Sequence, residues 1–397
     1  MKKETVLDFN NTKIAFDYKT NYQLKKGYQL FKLMGNQFLV KLGGNLAQMA
    51  LKLNLPIKSI IKNSIFDQFC GGQTVNDCSI RIDKLSKYNV GTILDYSVEG
   101  VGSNTSFEAT VNEIITTIDA ANASTSIPFS VFKLTGLSTF SILKAANNSI
   151  ENLNVEQLEE YNKLIERVEK ICSYASSKKV NIFIDAEDSW YQGTIDRIAE
   201  SMMLKYNKNN VVVYTTIQFY RWDRLDYLKK LLKKAKQEHF KIGIKLVRGA
   251  YMEKERAMAA EKGYTDPIQK DKQSTDIDFN KAIELCIADL NYVSICLGTH
   301  NEKSCLNLVE LMEKNAIDAS DPRIYFAQLL GMSDHISFNL SKAGYNVAKY
   351  VPYGPINEVM PYLIRRAEEN TSVAGQTSRE LSLIRKELKR RRLLNRI

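Results

Sequence analysis

Eight short β-rich runs, each followed by a helical stretch, constrain this 397-residue chain more than any other feature. They lie at 91–98, 129–137, 180–187, 211–218, 242–251, 292–300, 324–332 and 347–354. Strands alternating with helices predict a parallel sheet joined by crossovers. Eight units predict closure into a barrel. A doubly wound open sheet could hold as many strands, but no GxGxxG follows a strand and there is no P-loop. The expected class is α/β, a distorted (β/α)8 TIM-like barrel over 91–370. A helical arm over 1–90 precedes it, and a basic helical tail over 371–397 follows. In the arm, Leu30, Phe31, Leu33, Met34, Phe38 and Leu42 recur at helical spacing, with Pro56 as an interruption.

Chemistry in such barrels sits at the C-terminal ends of the strands. Those ends carry Asp95, Lys133, Asp185 with Glu187, Gln218, Lys245 with Arg248, Thr299 with His300, Gln328, and Tyr350 with Tyr353. A strand leaving a sheet often turns polar, so no single one of them defines a site. Asp185 and Glu187 are two apart and would share a face on a strand, as a carboxylate pair would need. Lys133 and Lys245 read equally as cationic ligands, Schiff-base nucleophiles or solvated lysines.

The stretch after the eighth run reads PYLIRRAEEN, 361–370. Tyr362, Arg365, Arg366 and Glu369 can share one helix face. Proline is tolerated in a first turn, so Pro361 predicts that both arginines lie close to the helix start. Guanidinium groups bind carboxylates bidentately, and two beside an aromatic ring suit a small molecule with one carboxylate and one apolar face. A surface pair bonded to Glu368 and Glu369 fits the spacing equally well.

Several classes lose ground. The GxSxG elbow and HExxH are absent, and His300 has no second histidine at ligand spacing, so no metal site is expected. His239 and His335 read as bystanders. The six cysteines are scattered, as reduced structural thiols in a cytosol-like compartment would be. The N-terminus lacks an apolar signal region and carries Glu4 and Asp8. The expected location is therefore cytoplasmic. Of the formal net charge of +10, much sits in RELSLIRKELKRRRLLNR. A solvated helix is the plain reading, and a peripheral contact with an anionic membrane, at its inner face, is the sharper one. The tail has no aromatic residues, so nucleic acid is not an expected partner.

The segments FIDAEDSW, TTIQFYRWDRLDYL, IKLVRGAYMEKE, LGTHN and YGPINEVMPYLIRRAEEN occur in that order. Together they resemble the proline dehydrogenase family over about 91–370. The resemblance implies oxidation of L-proline to Δ1-pyrroline-5-carboxylate by hydride transfer to N5 of FAD, with the electrons then passed to a quinone. It implies that Arg365, Arg366 and Lys133 pair with the proline carboxylate. Asp185, Tyr251, Leu330, Tyr350 and Tyr362 would shape the pocket, and Lys245 would lie near N5. Asp185 and Lys245 are the catalytic candidates. Gln218, Lys245, Val247, Arg248, Gly249, Thr299 and His300 would hold the flavin, with Glu369 tying down the last helix. Many family members carry arginine where this chain has Lys245, and lysine where it has Arg248. Alternative readings are a hydroxyproline dehydrogenase on the same scaffold, a Schiff-base aldolase using Lys245, and a binding protein with a basic docking tail. Sequence does not set the oligomeric state.

Overall fold

Eight parallel strands close into a barrel in sequence order in the computed structural model, which describes residues 7–53, 55–98, 102–372 and 376–394. The strands are β1 (Val90–Tyr96), β2 (Phe129–Phe132), β3 (Asn181–Ile184), β4 (Val213–Gln218), β5 (Ile242–Val247), β6 (Val293–Gly298), β7 (Ile324–Leu329) and β8 (Val347–Tyr353). Seven of the expected runs contain one of them whole, and the first overlaps β1, which starts one residue earlier at Val90. Two end early. The second expected run stops at Phe132 and turns through one 3-10 turn, Leu134–Gly136. The third stops at Ile184. Lys133 and Asp185 therefore leave the ladder as loop residues.

The chain divides into two compact units, 1–98 with 328–397, and 99–327. In the second unit, crossover helices start at well-formed caps. Ser103 and Asn154 each close a capping box, and Asn301 accepts from Ser304 N directly after β6. The interior of this part of the barrel is aromatic. Phe129 stacks on Phe183 at 4.5 Å, and Tyr214 and Tyr325 meet Phe129 edge-on. Gly243 makes room for them, since a Cβ there would lie 2.5 Å from the Tyr214 ring.

In the first unit, β1 pairs with β8, with Ile93 opposite Tyr350. The arm forms helices Asn21–Met34 and Gln37–Lys52, separated where Asn36 caps the second. The chain breaks again at Pro56, as the sequence suggests, before the Lys58–Ile61 turn. Phe31, Met34, Val40 and Leu51 share one apolar core with Val359, Met360, Tyr362 and Leu363 of the Ile356–Ser372 helix. The basic tail is the helix Gln376–Leu394, and it is packed rather than loosely solvated. Leu383 and Ile384 are buried, and Arg391 donates to the carbonyls of Phe16 and Lys19.

Pro361 is not in a first turn. The helix begins at Ile356, so the arginines lie in its third turn. Loss of the Pro361 N–H removes one helical hydrogen bond, which this helix tolerates because its apolar face is fixed in the core.

Candidate active site

In the 99–327 unit, the site is built where β2, β3, β4 and β5 end side by side. Asp185 follows β3, and its backbone N–H donates to Phe132 O of β2 at 2.9 Å. Its Oδ1 accepts from Lys245 Nζ of β5 and from Thr216 Oγ1 of β4, the latter at 3.2 Å. Thr216 and Lys245 are register partners. Lys133 Nζ stands 3.9 Å from Asp185 Oδ2. Lys245 is buried and lies over the Phe183 ring at 5.0 Å. One carboxylate thus gathers two lysines, one of them over an aromatic ring.

Glu187 belongs to a separate arrangement, so it does not form a carboxylate pair with Asp185. Its carboxylate accepts from Thr135 N and Oγ1, at 3.2 and 2.6 Å. Its backbone carbonyl accepts from Gln218 Nε2 at 2.7 Å, and its N–H donates to Gln192. Burial pushes the Glu187 carboxyl up to about 7, against the pull of the Thr135 hydrogen bonds and of Lys133.

Arg248 fans over β5 and β6. It donates to Asp276 at 2.8 Å, to Thr299 Oγ1 at 2.8 Å and to Ser304 Oγ at 3.0 Å, and it lies over the Phe279 ring at 4.2 Å. A lysine could not make this fan, because its single ammonium has no planar fork. Gly249 follows at φ +127, where a Cβ would lie 2.5 Å from the Tyr220 ring. Val247, Tyr251 and His300 are half-buried around this edge.

In the other unit, Leu330 N donates to Tyr350 O at 2.8 Å, so these two predicted pocket residues are joined through the backbone. The loop after β7 is held from outside. Gln68 Nε2 donates to Gly331 O, and a Cβ on Gly331, at φ +78, would meet Gln68 O at 2.1 Å. On the Ile356–Ser372 helix, Arg366 is buried with its guanidinium over the Tyr362 ring at 5.2 Å, and Arg365 is half-buried. Burial of Arg366 against its own Tyr362 speaks against a simple surface pair. The Glu369 side chain lies outside the described residues.

Sequence reasoning missed a second charged cluster. Lys349 of β8 is fully buried beside Asp334, which also takes Lys19 and the Tyr18 hydroxyl. A lone lysine within the apolar run VAKYVPY was the available signal. His335, read as a bystander, is buried 3.9 Å from Glu380.

A parallel eight-stranded barrel whose charged side chains collect at the strand ends defines the class, a (β/α)8-barrel enzyme. A family model described as proline dehydrogenase matches residues 78–379. "Proline dehydrogenase 1, mitochondrial" of Dictyostelium discoideum is 33% identical, over 96% of this chain and 76% of that protein. "Hydroxyproline dehydrogenase" of Xenopus laevis is 29% identical, over 95% of this chain and 89% of its own. The human "Proline dehydrogenase 1, mitochondrial" is 38% identical over 58% of this chain and 39% of its own. Among solved structures, proline utilization A of Bdellovibrio bacteriovorus superposes with a TM-score of 0.70 at 19% identity, over 91% of this chain. This chain spans 38% of that one, and the likeness concerns the fold. The chain belongs to the proline dehydrogenase family, and is an oxidoreductase whose place is in proline catabolism.

Proposed function

We propose that this chain oxidises L-proline to Δ1-pyrroline-5-carboxylate, with FAD as hydride acceptor and a quinone as the final acceptor. The observation that carries the reading is the Lys133–Asp185–Lys245 cluster, with Lys245 over the Phe183 ring, in a chain of this family.

The residues present suit a flavin. Lys245, Arg248, Gln218 and Thr299 offer cations and hydrogen-bond donors along the ends of β4, β5 and β6, matching a cofactor rich in carbonyl and phosphate acceptors. Gly249 is exposed beside them. Gln218, Val247, Arg248, Gly249, Thr299 and His300 would hold the cofactor, with Lys245 beside its reactive edge and Glu369 supporting the last helix. When bound, the flavin supplies hydride acceptance at N5 and passage of the electrons to a quinone.

The protein's own work is binding and orientation. Arg365 and Arg366 would pair with the substrate carboxylate, and so would Lys133. Tyr362, Tyr350, Leu330 and Tyr251 would contact the ring. Asp185 positions both lysines. As the substrate carbon gives up a hydride, its nitrogen must give up a proton, so that the lone pair can form the C=N bond. Delivery of electrons to a lipid-soluble acceptor includes a peripheral contact with a membrane, proposed at its cytoplasmic face.

The deciding experiment is optical. Purified protein supplied with FAD should be yellow, and its flavin absorbance should bleach on anaerobic addition of L-proline. A protein that takes up no flavin, or whose flavin stays oxidised with proline, overturns the reading. The Xenopus relative favours a second reading, hydroxyproline as substrate. A larger kcat/KM for hydroxyproline than for proline would select it.

A further inference from the structure

Among the described residues, nine of the twenty large hydrophobic side chains left exposed lie between Leu33 and Ile60. Scattered exposed hydrophobics are ordinary, but a continuous patch marks a surface that is meant to be covered. The patch is continuous on the helix Gln37–Lys52. Val40 and Leu51 are buried, Ala47 packs on the same core, and a Cβ on Gly44 would meet Ile364 at 3.5 Å. At about 100° per residue these four positions form one face. Leu39, Leu42, Leu46 and Met49 recur at the same kind of spacing on roughly the opposite face, and all four are 44–58% exposed. The helix therefore has two apolar faces, and one is covered.

Charge indicates what covers the other. Between Asp17 and Asp67 the sequence holds eight lysines and no acidic residue, although Lys19 and Lys26 are paired with Asp334 and Asp67. Lys32, Lys58 and Lys62 are exposed along the same stretch. A second copy seated here would set lysines against lysines. An anionic lipid surface suits both features, because its acyl boundary takes the leucines and its headgroups take the lysines. Among the described residues, the basic tail lacks this combination. Its Leu383 and Ile384 are buried, and Arg390 and Arg391 are bound to Glu387.

We propose that the exposed face of the Gln37–Lys52 helix docks in the plane of an anionic bilayer. Among the described residues no helix is long and apolar enough to cross a membrane, so the contact lies in the interface. The covered face of the docking helix packs on the helix of Arg365 and Arg366, so the bilayer would lie one helix away from the clamp. This deepens the quinone proposal but rests on the patch, and the assay below needs no substrate. It can fail while the dehydrogenase reading stands.

The test is co-sedimentation of the full chain, supplied with FAD, with two kinds of vesicle. One kind mixes phosphatidylglycerol with phosphatidylcholine, and the other is phosphatidylcholine alone. The unaltered protein should pellet with the anionic vesicles at least about tenfold more than with the neutral ones. A chain carrying both Leu42→Glu and Leu46→Glu should stay in the supernatant. It should keep the flavin content and dye-coupled proline turnover of the parent. Lys389→Gln with Arg392→Gln in the tail should leave sedimentation unchanged. The proposal is overturned if the unaltered protein does not pellet, or if the tail substitutions release it and the leucine substitutions do not. It is equally overturned if light scattering finds a dimer that the leucine substitutions split while the vesicles take up no protein.

Discussion

Asp185 and Lys245 form a buried ion pair across the ends of β3 and β5, and the second oxygen of Asp185 faces Lys133 at 3.9 Å. One carboxylate therefore faces two ammonium groups. Asp185→Asn leaves the buried Lys245 without its anion, and breaking such a pair costs about 3–5 kcal/mol. The thermal midpoint should fall by several degrees, and kcat/KM for proline should fall with it. Differential scanning fluorimetry and proline kinetics check both. A variant with the parent's midpoint would show that the pair is not a buried one.

Arg366 is buried over the Tyr362 ring, whereas Arg365 is half-buried. If both grip the substrate carboxylate, either substitution to methionine removes one charged contact, worth about 2–4 kcal/mol. KM for proline should rise tens-fold or more in Arg365→Met and in Arg366→Met, with flavin content unchanged. Arg366→Lys should recover only part of the loss, because an ammonium neither forks nor stacks as a guanidinium does. An unchanged KM in both methionine variants would remove the clamp.

The barrel was legible because each strand run is bounded by polar residues and followed by a helix, and because the strand count selects closure. Much of the charged edge was legible too, since Lys133, Asp185 and Arg248 stand where apolar runs stop, and Lys245 interrupts one just before its end. Pairing was not legible. Nothing in the spacing of IDAE says that Asp185 turns to Lys245 while Glu187 turns to Thr135, because that depends on β3 ending at Ile184. Pro361 misled for a related reason. Local preference puts proline in a first turn, and tertiary packing of Val359, Met360 and Leu363 carried the helix back to Ile356. Partner choice is a long-range property, and a pattern of spacings contains only short-range ones.

Glu187 sets a pH dependence. An ordinary glutamate titrates near 4.5, and burial pushes this one up to about 7 despite two hydrogen bonds from Thr135. The folded state thus holds the proton more tightly than the unfolded chain. The stability it contributes is fully present below about pH 4.5 and is lost as pH rises through about 7. At about 1.4 kcal/mol per pH unit, the loss is on the order of 3 kcal/mol. Glu187→Gln should flatten the fall in stability over that window, as measured by urea denaturation at stepped pH. A variant whose profile parallels that of the parent would exclude Glu187 as the source.

The Asp334–Lys349 pair predicts a measurable coupling. Burial alone would raise the Asp334 carboxyl, but Lys19 and Lys349 outweigh it and hold the group well below the usual carboxylate range. Its contribution to stability is therefore present above the ordinary carboxyl value and lost only as pH falls through the depressed one. Lys349 is fully buried, with its ammonium also donating to Met332 O. Asp334→Asn should cost about 3–5 kcal/mol, since Lys349 then stays buried without an anion. Lys349→Met should cost less, because Lys19 remains 2.8 Å from Asp334 and keeps the carboxylate paired. The double substitution should regain part of the Asp334→Asn loss, giving a coupling of at least about 1 kcal/mol in a denaturation cycle. Strict additivity would mean that the two groups do not act as a pair, and that the Tyr18 and Lys19 contacts alone hold Asp334 in place.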